Sequence, residues 1–153
     1  MKRFLTPLIF LIFLILIGAG LWYFDYKYPF RNITAGDLTV NGSTFVVEVA
    51  NDPRLRSTGL GGRDKLDPKA GMLFVFSKPG LYEFWMKDMK FPLDLIWISH
   101  DWKVVDVTQG LKPETYPKTV TPKDQAQYVV EVNAGVVATH GITVGDKVYF
   151  EAH

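Results

Sequence analysis

Five side chains in this sequence are of types that bind or transform small polar molecules: Arg63, Trp85, Lys87, Asp94 and Glu131. Arginine and lysine bind anionic groups, and carboxylates accept protons from hydroxyl or amine groups. An indole ring stacks on or covers an apolar face. We therefore predict that these five residues line a pocket for a small polar ligand such as a saccharide, a peptide end or a carboxylate.

Two other interpretations of the same residues stay open. In the structural one, Lys87 pairs with Asp94 and Arg63 pairs with Glu131, and these ion pairs only hold loops, adding about 0–1 kcal/mol each at a surface. In the catalytic one, Asp94 and Glu131 are the acid–base pair of a hydrolase, which requires carboxyl groups roughly 5–10 Å apart. No nucleophile elbow, phosphate loop, paired-histidine motif or dinucleotide fingerprint occurs, so the sequence favours binding over catalysis.

Composition narrows the function classes further. The chain has no cysteine, which excludes a disulfide framework and thiol chemistry. Its three histidines, His100, His140 and His153, lack zinc-ligand spacing, so neither a metal nor a cofactor is expected. The net charge of +1 gives no electrostatic footprint for nucleic acid. A length of 153 residues with 48 % hydrophobic residues suits one compact domain with an appendage.

That appendage is the amino-terminal run 4–24, which is apolar and uncharged. About 21 residues of helix at about 1.5 Å each span about 31 Å, the thickness of a bilayer core. Aromatic residues of the interfacial type follow, namely Trp22, Tyr23, Tyr26 and Tyr28. Residues 1–25 are therefore predicted to be a transmembrane anchor in the cell membrane, with the domain on the extracytoplasmic side. The alternative is a signal peptide cleaved near Gly18-Ala19-Gly20, which would release a secreted protein.

A short tether, 26–37, leads into the domain at 38–153, where short apolar runs alternate with turn residues. Eight strands are predicted, over 38–40, 44–50, 72–76, 81–87, 95–98, 103–109, 128–133 and 147–152. Two short helices are predicted, one opened by Asp52-Pro53 and closed by Gly59, the other over Ala134–His140. This pattern predicts a mainly β fold, a compact small β-barrel or sandwich, because a parallel α/β sheet needs longer crossover helices.

Particular stretches carry this prediction. Asn41-Gly42 between β-prone runs predicts a hairpin with a type I′ turn. Leu95–Ile98 is apolar on both faces, which is typical of a strand covered on both sides. The segment Gly110–Gln127 is rich in proline and long for a loop, and it carries Tyr116. A third hypothesis is therefore that this loop presents Tyr116 to a partner protein of the cell envelope.

The domain also resembles a known family over about Leu38 to Glu151, the bacterial and archaeal domain-of-unknown-function (DUF) family 192. The residues that carry the resemblance are Glu48-Val49-Ala50, Arg54, Gly59-Leu60, Arg63, Gly71-Met72-Leu73-Phe74-Val75-Phe76, Phe84-Trp85-Met86-Lys87, Pro92-Leu93-Asp94, Tyr128-Val129-Val130-Glu131-Val132, Ala134-Gly135 and Gly145-Asp146. The resemblance implies a small secreted or membrane-tethered β-rich domain with no established activity. The chain departs from the family pattern at Gly61, where methionine is common, and at Asp88-Met89, where Asn-Thr is more frequent. It also lacks the cysteines that relatives often carry before the Tyr128 strand.

Overall fold

The computed structural model describes residues 12–20 and 33–153. The globular unit is Ile33–His153. Its strands are β1 (Ala35–Val40), β2 (Ser43–Ala50), β3 (Ala70–Gly80), β4 (Leu93–Ile98), β5 (Val104–Leu111), β6 (Ala126–Asn133) and β7 (Val148–Ala152). Its helices are α1 (Pro53–Thr58), α2 (Val136–Thr139) and a 3-10 turn at Pro113–Thr115. β1 thus begins ahead of Leu38, inside the segment predicted to be tether.

The strands form one sheet in the order β5-β4-β6-β3-β2-β1-β7. β2 and β3 are parallel, joined by a crossover that contains α1, whereas the other neighbouring pairs are antiparallel. The edge strands β5 and β7 approach each other at the isolated bridge between Lys103 and Lys147, but the sheet does not close. The mainly β class is confirmed, but instead of the predicted β-barrel or sandwich the described strands form one open sheet of seven strands.

The predicted strand 81–87 is also wrong, which leaves seven strands in the described part of the chain. This segment makes one isolated bridge, in which Phe84 and Val120 exchange two backbone hydrogen bonds of 2.9 Å. The alternation read from the sequence is real, because Phe84 and Met86 are buried while Trp85 is exposed. The segment does not form a hairpin with β3, the preceding strand, because β2 and β6 already occupy both sides of β3.

Local signals in the sequence act as expected at three positions. Asn41 and Gly42 have φ of 45° and 73°, as a type I′ turn between β1 and β2 requires. Asp52 Oδ1 accepts a hydrogen bond of 2.8 Å from Leu55 N and caps α1. Gly59 ends α1 with φ of 52°, and its N–H donates to Leu55 O at 2.8 Å.

The pairing of β4 with β6 decides which side chains share a face of the sheet. All six residues of β4 are buried, which confirms a strand covered on both sides. Leu95 pairs with Glu131, and Asp94 pairs with Val132. Because successive residues of a strand point to opposite faces, Glu131 lies on the face of Leu95 and Asp94 lies on the other face.

The other described part of the chain, residues 12–20, is helical with exposed side chains. None of the helices in the described ranges combines the length and the apolarity that crossing a membrane requires. Most of the predicted anchor 1–25, and residues 26–32 of the predicted tether, lie outside those ranges.

Candidate ligand-binding cleft

A cleft of about 170 Å³ opens where the end of α1 meets β3 and the segment 83–89. One side is formed by α1 and the turn that follows it, the opposite side by the segment 83–89, and the base by side chains of β3 and β6. The residues that line it are Arg56, Ser57, Thr58, Gly59, Leu60, Gly61, Phe74, Phe76, Glu83, Phe84, Trp85, Lys87, Met89 and Glu131.

Glu131 is the buried polar group of this cleft. It lies in the middle of β6, and the residue is 6 % exposed. Its Oε2 atom is fully buried and has no hydrogen-bond partner among the described residues. An unsatisfied buried polar atom costs about 1–3 kcal/mol, so native proteins rarely keep one without a reason. Here the atom belongs to a cleft-lining residue, which makes Glu131 the most direct indication of a ligand site.

Burial also decides the charge of Glu131. Desolvation disfavours the carboxylate and raises the pKa of Glu131 to about 8, although the nearby positive charge of Arg63 acts in the opposite direction. At neutral pH the side chain is therefore mostly a neutral carboxylic acid. In that form it offers one O–H donor as well as acceptor capacity.

Arg63 does not pair with Glu131, as one interpretation of the sequence predicted. It pairs with Glu48 instead. Its guanidinium binds both oxygens of Glu48, with N–O distances of 2.5 Å and 2.8 Å. These hydrogen bonds lower the pKa of Glu48 below its ordinary value. Both side chains are partly exposed, so the pair contributes little to stability. Glu131 consequently has no direct cationic partner among the residues that the structure describes.

Aromatic rings form the apolar walls of the cleft. Phe74 and Phe84 pack edge to face, with their centroids 4.9 Å apart. Phe76 stacks on Tyr82 at 3.5 Å, and the guanidinium of Arg56 lies 5.2 Å from the Phe76 centroid. Arg56 Nη1 also donates to Val75 O at 2.9 Å, which fixes the cation beside the ring.

Two glycines let the backbone close around this space. A Cβ on Gly59 would lie 3.8 Å from Oε2 of Glu131, so the end of α1 lies beside that atom. At Gly61 a Cβ would come within 2.9 Å of Thr58 O and 3.3 Å of Lys87 O. A larger side chain at this position would therefore require the two sides of the cleft to separate.

Of the five predicted site residues, the structure brings Trp85, Lys87 and Glu131 together around the cleft. The Lys87 side chain is exposed, and its ammonium has no ion-pair partner in the part of the chain that the structure describes. Arg63 is not one of the lining residues, but it is close enough to lower the pKa of Glu131.

Asp94 is not a cleft residue but a fully buried anchor for loops. Its Oδ1 accepts from Gly110 N at 2.8 Å, and its Oδ2 accepts from Gly135 N at 2.9 Å and Val137 N at 3.0 Å. The hypothesised Lys87–Asp94 pair is therefore replaced by three backbone amides. Because Asp94 and Glu131 lie on opposite faces of the sheet, they do not flank a common bond, and the acid–base pair of the hydrolase hypothesis lacks its geometry.

Sequence reasoning missed Arg56, Glu83 and the phenylalanines of β3 as cleft residues. In the sequence, Arg56 is one residue of a predicted short helix. No residue near it in sequence indicates that its guanidinium lies over the ring of Phe76. A usable signal was present in the Gly59–Gly61 stretch, since closely spaced glycines mark a place where backbone approaches other groups.

The globular unit is a small, mainly β domain built on one open sheet, with an aromatic cleft over a buried acid. Within that class the sequence profile of DUF192, described as "Uncharacterized ACR", matches residues 36–150, and the chain belongs to this family. The resemblance seen in the sequence is thereby confirmed.

Solved structures with the same fold include two bacterial proteins. One, from Sinorhizobium meliloti 1021, is described as a proposed transcription regulator, with 29 % identity, a TM-score of 0.72, and coverage of 77 % of this chain and 95 % of the other. The second is a protein of unknown function from Novosphingobium aromaticivorans DSM 12444, with 29 % identity, a TM-score of 0.72, and coverage of 79 % and 89 %. No curated protein matches the chain.

Proposed function

We propose that the domain is a binding protein that holds a small polar ligand in the cleft above Glu131. The observation that carries the proposal is the unpartnered, fully buried Oε2 of Glu131 in the lining of an open cleft. A ligand with a polar group at that point would supply the missing hydrogen bond, which is worth about 1–3 kcal/mol.

The dimensions of the cleft support a small ligand. Its volume of about 170 Å³ is similar to that of the roughly 150 Å³ cavity that holds one benzene molecule. The walls, including Phe74, Phe84 and Trp85, are suited to an apolar or ring-shaped body, and the polar groups suit its functional group. We do not extend the proposal to nucleic acid, because the net charge of the chain is only +1.

Titration with three ring-matched probes tests this proposal. Benzyl alcohol, benzylamine and sodium benzoate are added to ¹⁵N-labelled protein, and the amide shifts of Gly59 and Gly61 are followed. At least one probe is expected to shift these amides with saturation in the millimolar range. In Glu131→Leu, which keeps a side chain of similar size but removes the polar group, the affinity for that probe is expected to fall about tenfold.

The matched control for this variant is Glu151→Leu, which replaces an exposed glutamate of β7 outside the cleft. It is expected to bind the probe as the wild type does. The proposal fails if none of the three probes shifts the cleft amides, or if Glu131→Leu and the wild type bind with equal affinity. Glu131→Leu removes a buried ionisable group rather than an apolar one, so it is expected to remain folded.

We also propose that residues 1–25 hold the domain on the extracytoplasmic side of the cell membrane. What supports this is the uncharged apolar run 4–24 behind Lys2 and Arg3, with aromatic residues at its far end. The full chain with a carboxy-terminal alkaline phosphatase reporter is expected to stay in the membrane pellet after alkaline carbonate washing and to be enzymatically active. A soluble product that has lost about 20 residues would instead indicate signal-peptide cleavage. Full-length protein in the soluble fraction with an inactive reporter would contradict both.

A further inference from the structure

The charged groups around the cleft favour a ligand with a negative charge. The lining carries two cations, Arg56 and Lys87, and one exposed anion, Glu83. With Glu131 in its neutral form, two positive charges and one negative charge leave the lining with a net charge of +1. Lys87 is exposed and has no ion-pair partner among residues 12–20 and 33–153, so its ammonium is available to a bound anion.

Glu131, at the base of the cleft, requires a hydrogen-bond acceptor. Glu131 is mostly protonated at neutral pH because burial raises its pKa to about 8. Its O–H needs an acceptor, and none of the described protein atoms supplies one to Oε2. A carboxylate oxygen is the strongest acceptor that a small molecule offers to such a hydroxyl, because an O–H···O⁻ hydrogen bond is about twice as strong as a neutral one.

We infer that the ligand is a small organic acid with an apolar or aromatic body, whose carboxylate accepts a hydrogen bond from Glu131 and is attracted by Lys87 and Arg56. Phe74 and Phe84 contact the body of the ligand. This inference rests on the proposed function and gives that function a substrate class.

The alternative ligand is an ammonium compound, which would bind in the same cleft but would require Glu131 to be ionised instead of protonated. It would pair with the ionised form of Glu131, and binding would therefore release the proton of that residue. The two positive charges of Arg56 and Lys87 would repel it. A carboxylate and an ammonium therefore make opposite predictions for the pH dependence of affinity.

The charged groups that face Glu131 come from several elements, and they fix the pH range of the test. Arg63 acts on Glu131 from the turn after α1 and is itself paired with Glu48 of β2, whereas Arg56 reaches the cleft from α1. The segment 83–89 contributes Glu83 and Lys87. The in-register neighbours of Glu131 on β3 and β4, Met72 and Leu95, carry no charge. Because the pKa of Glu131 is about 8, the interval from pH 6.5 to 9 covers the change of charge of this residue.

Sodium benzoate and benzylamine, titrated into the wild-type protein at pH 6.5 and pH 9, test the inference by the same amide shifts. Benzoate is expected to bind more tightly than benzylamine at pH 6.5. Its affinity is expected to fall about tenfold at pH 9, one unit above the pKa of Glu131, because only the protonated residue donates. Glu131→Gln, whose amide donates at every pH, is expected to abolish this pH dependence.

Lys87→Ala is expected to weaken benzoate binding about fivefold to tenfold, whereas Lys112→Ala, an exposed lysine outside the cleft lining, has no effect. Tighter binding of benzylamine, or a benzoate affinity that is equal at pH 6.5 and pH 9, would overturn the inference but leave cleft binding intact. Failure of benzoate, benzylamine and benzyl alcohol alike would instead refute the proposed function.

Discussion

Replacing Asp94 with alanine is expected to destabilise the domain by about 3–6 kcal/mol, because one buried and two part-buried backbone amides lose their charged acceptor together. Each unsatisfied buried donor costs about 1–3 kcal/mol, and domains of this size have a total stability of only about 5–15 kcal/mol. The amides belong to Gly110 at the end of β5 and to Gly135 and Val137 at the start of α2. A single carboxylate thus holds two connections of the sheet in place.

Thermal unfolding followed by circular dichroism measures this effect. Asp94→Ala is expected to melt about 10–20 °C below the wild type, and the amide protons of Gly110 and Val137 are expected to lose their protection from hydrogen exchange. Asp94→Asn is expected to recover only part of the loss, because one of its two polar atoms becomes a donor that faces donors. Asp124→Ala, at an exposed position, is the control and is expected to melt with the wild type. A melting temperature of Asp94→Ala within about 2 °C of the wild type would contradict a structural role.

Asp94 also shows where sequence reasoning on this chain reaches its limit. In the sequence it reads as one of several charges beside Pro92, and a ligand-binding role was a reasonable hypothesis. Its partners lie 16, 41 and 43 residues away, so no local pattern reveals them. By contrast, the turn at Asn41-Gly42 and the cap at Asp52 are set by residues a few positions apart, and these were predicted correctly.

The same distinction applies to the strands. Leu95–Ile98 was identified because apolar residues on both faces are a property of the stretch itself. The segment 81–87 has the right alternation, but whether it pairs depends on which strands already flank β3, and this is a property of the whole sheet. A strand pattern therefore predicted which side chains are buried, here Phe84 and Met86, more reliably than it predicted the hydrogen bonding.

The candidate cleft was predicted in part for similar reasons. The residue types of Trp85, Lys87 and Glu131 suggested chemistry, and the fold brings these three together. Arg63 has the right type and a nearby position, but Glu48 competes for it across 15 residues of sequence. Whether Glu131 has an ion-pair partner thus depends on whether Arg63 binds Glu131 or Glu48. The sequence alone does not decide between these two carboxylates.

Because Glu131 is buried and its Oε2 has no hydrogen-bond partner among the described residues, we expect a second large effect. The free energy of unfolding of Glu131→Gln is expected to exceed that of the wild type by an amount that grows with pH. The pKa of Glu131 is about 8 in the folded protein against 4.5 for an ordinary glutamate. Below about pH 4.5 both folded and unfolded chains keep the proton, and the residue contributes nothing. Between about 4.5 and 8 the unfolded chain releases the proton while the folded chain retains it, so rising pH favours unfolding by about 1.4 kcal/mol per unit. Above pH 8 the penalty is constant.

Glutamine occupies nearly the same volume and does not ionise, so Glu131→Gln escapes this penalty. Its free energy of unfolding is expected to exceed that of the wild type by a margin that increases from pH 4.5 to pH 8 and reaches about 3–5 kcal/mol. Urea unfolding at pH 4, 6 and 8.5 measures the difference. Glu151→Gln, which replaces an exposed glutamate, provides the control and is expected to differ from the wild type by a small amount that does not change with pH.

Two results would contradict this expectation. One is a difference between Glu131→Gln and the wild type that stays constant from pH 4 to pH 8.5. The other is a carboxyl titration of Glu131, followed by ¹³C NMR, with a midpoint below about pH 5.5, which would mean that Arg63 neutralises the buried carboxylate more strongly than its pairing with Glu48 allows. The stability measurement requires no ligand, so it tests the protonated floor of the cleft independently of any binding experiment. A wild-type domain that loses stability between about pH 4.5 and pH 8 would show that folded Glu131 keeps its proton over that range, so that a hydrogen-bond acceptor is the chemical group that complements the base of the cleft.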